Sequence, residues 1–73
     1  MSDYHINIFF SDEDGGYIAD IPDLAYCSAF GETPEDALKA VQQARMAWLD
    51  AAVAQERDIP QPKYRPIIYQ IGA

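Results

Sequence analysis

Residues 15–38 read GGYIADIPDLAYCSAFGETPEDAL, and this stretch decides the fold. Gly15 and Gly16 close a polar run, SDEDGG at 11–16, that reads as a turn. Acidic residues tolerate unusual backbone angles there, and glycine supplies positive φ at little steric cost. Residues 17–21 read as a strand, stopped by Pro22-Asp23 because proline has no N–H to give to a ladder. Residues 25–30 read as the next strand, and Gly31 ends it. Thr33-Pro34-Glu35-Asp36 then opens a helix. Thr33 is placed to accept a hydrogen bond as N-cap, and Pro34 suits the first helical position, where its missing N–H would have no partner. Glu35 and Asp36 fall at the positive end of the helix dipole, and Asp36 takes the place that a capping box gives to Glu or Gln.

Working outward, residues 4–10 alternate. Tyr4, Ile6, Ile8 and Phe10 fall on one side, with His5, Asn7 and Phe9 on the other. That period of two predicts a first strand with one buried face. Three strands joined by short connections predict an antiparallel meander. The helix is expected over 34–56, with Ala37, Val41, Ala44, Trp48 and Ala52 on one stripe and Leu38 and Leu49 beside it. Seven alanines between Ala37 and Ala54 favour helix and allow close packing against the sheet. Met46 and Val53 lie off the stripe, as a second contact surface or as singly exposed side chains. Pro60, Pro62 and Pro66 make residues 57–66 an extended connection. Residues 67–71, IIYQI, read as a fourth strand returning parallel to an earlier one by a right-handed crossover. The expected fold is therefore α+β: a two-layer β-β-β-α-β arrangement, with an antiparallel three-stranded meander, one helix and a returning C-terminal strand.

A chain of 73 residues makes one domain, 1–73, and buries only roughly 60% of the surface its unfolded form exposes. A single Cys excludes an internal disulfide, so a packed sheet and self-association remain as sources of stability. A homo-oligomer is expected. The charge is lopsided: nine acidic residues and no Lys or Arg precede Lys39, and from Lys39 onward five basic residues face three acidic ones. The net charge of −7 repels nucleic-acid phosphates and attracts basic partners. Direct nucleic-acid binding is not expected. Neither a signal peptide nor an apolar run of the ~20 residues needed to cross a bilayer is present, so no membrane association is expected. A lone Cys fits a reducing cytoplasm.

No chemistry emerges from the reactive residues. His5 and Cys27 are each the only residue of their type, and a metal site needs three or four ligands. Cys27, read as mid-strand, is expected to be a small buried hydrophobe. Asp12, Glu13 and Asp14 resemble half of a calcium loop, but the twelfth loop position holds Asp23 rather than a bidentate Glu. No cofactor and no metal are expected. The aromatic residues are flanked by carboxylates rather than Lys and Arg, which favours core and protein-interface roles over base stacking. Arg45 sits at the edge of the helix stripe, either with its stem covering the core edge or pairing across an interface.

The elements Tyr17-x-Ala19, Pro22-Asp23-Leu24, Cys27, Gly31-x-Thr33, Glu35-Asp36-Ala37, Ala47-Trp48-Leu49 and Ile59-Pro60-Gln61-Pro62 together resemble the HicB-like antitoxin family over most of the chain. Where many members carry Pro-Gly after Asp-Leu, this chain has Ala25-Tyr26. The resemblance implies a partly degraded ribonuclease H-like fold. It also implies a cytoplasmic bacterial antitoxin that binds and silences a small basic HicA-type toxin, an RNA-cleaving protein. Many relatives append a C-terminal DNA-binding domain, and none is expected here within 73 residues. Retained nuclease chemistry would require converging carboxylates. The first strand offers His5 and Asn7, the helix interior Asp50 on the side away from the stripe, and the last strand Gln70, so no enzymatic activity is expected. Asp20, Asp23 and Tyr26 are the expected partner-binding residues. The alternative is a stand-alone oligomeric binding module of the same fold with no toxin partner.

Overall fold

The computed structural model describes residues 3–66. Its elements are β1 (Asn7–Ser11), β2 (Gly16–Asp20), β3 (Ser28–Gly31) and α1 (Pro34–Ala54). The strands form one antiparallel sheet in the order β1-β2-β3, with α1 packed on one face. The expected α+β meander and helix are therefore present. The expected fourth strand, 67–71, lies outside the described residues.

Turn chemistry sets the first hairpin. The Gly15 N–H donates to the Ser11 carbonyl at 2.9 Å, with Gly15 at φ 69°, and the Ser11 hydroxyl donates to Asp14 at 2.8 Å. Ser11 consequently pairs with Gly16, and the register runs Phe10↔Tyr17, Phe9↔Ile18, Ile8↔Ala19, Asn7↔Asp20. The β2–β3 pairing continues it, with Ile18↔Phe30 and Ala19↔Ala29. Directly paired residues share a face. Ile8, Ala19 and Ala29 thus face α1, whereas Phe9, Ile18 and Phe30 line the opposite, outer face.

The core is small: Ala19, Ile21, Leu24, Cys27, Ala37 and Val41, flanked by Tyr4, Ile6, Tyr17, Leu38, Trp48 and Leu49. The helix stripe packs as its spacing predicts, with Ala37, Val41 and Ala52 fully buried and Ala44 and Trp48 partly so. Met46 and Val53 are exposed. Gly31 allows the helix to begin against the sheet. A Cβ there would stand 2.2 Å from the Ala37 nitrogen. The Thr33 hydroxyl accepts from the Asp36 N–H at 3.1 Å, which is the expected cap.

The other end of α1 is closed by a left-handed cap. Gln55 is the C-cap and Glu56 has φ 55°. The Glu56 N–H donates to the Val53 carbonyl and the Arg57 N–H to that of Ala52. This double return is a Schellman motif, with Glu where glycine is usual.

Four expectations are corrected. The first strand begins at Asn7 rather than Tyr4, and its alternation does not bury Ile8 and Phe10, which are exposed. The helix lies mainly over β2 and β3, so β1 is covered only at its start, where Tyr4 and Ile6 touch the core. The third strand begins at Ser28 rather than at position 25. Residues 21–27 form a closed loop in which Ile21 N–H donates to Cys27 C=O, Leu24 N–H to Ile21 C=O, and Cys27 N–H to Leu24 C=O. Burial of Ile21, Leu24 and Cys27 holds this loop to the core. Cys27 is buried as expected, but at the loop's end rather than mid-strand.

Candidate protein-binding surface

The outer face of the sheet carries no helix among the described residues. Its centre is an apolar row across all three strands: Phe9 (51% exposed), Ile18 and Phe30 (46% exposed). The Phe30 ring lies over Gly16, where an added Cβ would stand 2.5 Å from it. One end of the sheet carries the turn residues Asp12, Glu13 and Asp14, and β3 leaves the sheet at that same end into Glu32, Glu35 and Asp36 at the start of α1. At the other end Asp20 pairs across the outer face with Asn7 and Ser28. An exposed apolar strip with polar flanks is the usual form of a protein-docking surface.

The 21–27 loop borders this second end. A shallow cleft of about 260 Å³ is lined there by Asp20, Pro22, Ala25, Tyr26 and Ser28 among others. Tyr26 is fully exposed at 102% and has φ 61°. Trp48 on α1 supports the loop from beneath, donating its indole N–H to the Ala25 carbonyl at 2.9 Å. The Arg57 guanidinium lies 5.3 Å from the Trp48 ring centre.

The three expected contact residues therefore separate. Asp20 and Tyr26 share one cleft. Asp23 is committed within the chain: its carboxylate accepts from the backbone N–H of Lys63 at 3.2 Å and of Tyr64 at 3.1 Å. It thereby ties the 57–66 connection to the loop. Tyr4 adds a second tie by donating its hydroxyl to the Pro60 carbonyl. Sequence reasoning missed the row Phe9–Ile18–Phe30, because only the register brings these three residues together.

The remaining reactive residues make contacts within the chain. The His5 ring hydrogen-bonds Asn7 Oδ1 at 2.7 Å and packs tilted against Tyr64 at 4.9 Å. Among the described residues no group of three or more His, Cys, Asp or Glu could hold a metal ion. Burial pushes the Cys27 thiol above its ordinary value of 9.0, with Arg45 pulling the other way. Arg45 pairs with Asp3 of its own chain at 2.9 Å. A groove of about 500 Å³ is lined by residues of the chain's start and of the 57–66 connection, Tyr4, His5, Pro62 and Tyr64 among them. No helix of the described residues is long and apolar enough to cross a membrane.

Together these features define a small α+β domain built to present an acidic, aromatic surface. Residues 4–69 match the family described as HicB_like antitoxin of bacterial toxin-antitoxin system, and the chain belongs to that family. It is also 36% identical over 47 residues to "UPF0150 protein ssl0259" of Synechocystis sp. (strain ATCC 27184 / PCC 6803 / Kazusa). That match covers 64% of this chain and 64% of the relative. No solved structure matches the chain.

Proposed function

We propose that this chain neutralises a small basic HicA-type, mRNA-cleaving toxin by binding it, without catalysis of its own, in the bacterial cytoplasm. Family membership supports an antitoxin role, and the outer sheet face carries the reading. An apolar row supplies area to bury, and acidic groups at both ends of that face supply the complement to a basic protein. Burial gives affinity, while charge steers the encounter and rejects wrong partners. Asp20 and Tyr26 contact the partner directly, and Asp23 acts by fixing the loop that displays them. The same acidity disfavours direct binding of nucleic acid.

A second reading is favoured by the row itself. A two-fold axis through Ile18 would lay Phe9 of one copy over Phe30 of another, giving a homo-oligomeric module with no toxin.

A short basic reading frame beside the gene favours the first and its absence the second, and co-expression with the protein it encodes separates the two. Co-purification and rescue of growth are expected. Failure of both with a toxin shown to be active would remove the antitoxin role. A stable homo-oligomer under those conditions would favour the second reading.

A further inference from the structure

We infer that Tyr26 and Asp20 form a preset clamp for one arginine side chain of the basic protein partner, an inference that rests on the antitoxin reading above. Tyr26 combines two costs with no return among the described residues. Its φ of 61° lies in the left-handed region that favours glycine, where a bulky residue is an outlier. Its side chain is fully exposed and buries nothing.

The loop is nonetheless rigidly held. Three backbone hydrogen bonds close it, Leu24 and Cys27 anchor it in the core, and Trp48 fixes the Ala25 carbonyl. The backbone that carries the ring is therefore fixed before binding, which lowers the ordering cost of using it as an interface anchor. Asp20 lines the same cleft, and among the described residues no Lys or Arg lines it. A flat ring next to a carboxylate suits a guanidinium, which stacks on one and pairs with the other. An ammonium is a point charge that does not match both. The partner is basic by the charge argument already made, so an arginine is the complementary group.

The test uses the full chain and the basic protein that co-purifies with it. Y26G removes the ring and relieves the backbone. Its urea midpoint is expected to equal or exceed that of the parent, while affinity for the partner falls at least tenfold. Y26F keeps the ring and is expected to bind within threefold of the parent. D20N is expected to weaken binding and flatten its salt dependence. E56G, at the other left-handed position, controls for backbone relief and is expected to leave partner affinity unchanged.

Ethylguanidinium titrated against the isotopically labelled protein is expected to shift the Tyr26 ring and Asp20 signals more than ethylammonium does. Parent-like binding by Y26G, or a lowered urea midpoint in Y26G, overturns the clamp. Equal responses to the two small cations overturn the choice of arginine. Absence of binding by the parent itself instead defeats the antitoxin reading.

Discussion

Two glycines of one strand system show how differently a single methyl group can act. At Gly31 an added Cβ meets the backbone of Asp36 and Ala37, which cannot yield without moving the start of α1. At Gly16 its two shortest contacts are with the far end of the Phe30 ring, which can rotate towards solvent, and a third is with the Gly31 carbonyl oxygen at 2.9 Å, which needs only a small shift. Gly31→Ala is therefore expected to cost about 3 kcal/mol, the upper end of overpacking, and Gly16→Ala about 1 kcal/mol. Urea midpoints of the two variants check the order. Cys27 gives a second prediction at this scale. Burial keeps its thiol protonated, so alkylation of the native protein should be slow and should accelerate when urea opens the core. The sign for stability follows from the raised pKa. The contribution is full below pH 9.0, where the unfolded chain's thiol is also neutral, and declines as pH rises further and the unfolded chain ionises first. A urea midpoint that rises above pH 9.0, attributable to Cys27 by comparison with Cys27→Ala, would contradict it.

The elements depend on their ends. Thr33→Val removes the hydroxyl that accepts from Asp36 and is expected to weaken the domain by ~1 kcal/mol. An unchanged urea midpoint would show that the cap contributes nothing. Asp23→Ala removes the acceptor for two backbone N–H groups on the 57–66 connection and is expected to cost about 1–2 kcal/mol. Trypsin cleavage after Lys63 should quicken in that variant, and an unchanged rate would refute the tie. These ends also explain what the sequence could reveal. Thr33-Pro34 announces the helix because capping is a local interaction. Tyr26 conceals the loop, since tyrosine has high strand propensity and nothing local shows that Ile21 will close on Cys27. The alternation of β1 assigns its faces correctly, yet how deeply Ile8 and Phe10 are buried depends on where α1 lies, which is a tertiary matter. Within the candidate surface, Asp20 and Tyr26 could be named from sequence as an acid and an aromatic near a break, and the structure leaves Asp20 half-buried and Tyr26 exposed. The use of Asp23 could not, because its partners are 40 and 41 residues away.

At the scale of the whole molecule, charge and apolar area are divided by position. Six carboxylates crowd the hairpin end of the sheet, while Arg57, Lys63 and Arg65 follow the far end of the helix. Charge steering falls with ionic strength once the Debye length shrinks to about 10 Å at 0.1 M salt. Association with a basic partner should therefore slow as salt is raised, with dissociation changed much less. Stopped-flow measurement across a salt series checks this, and a salt-independent association rate would refute steering. The Trp48 indole, hydrogen-bonded beneath the Ala25–Tyr26 loop and faced by Arg57, has one further consequence. It is the only tryptophan in the chain, so its native fluorescence is a built-in, label-free gauge of whether that loop is occupied.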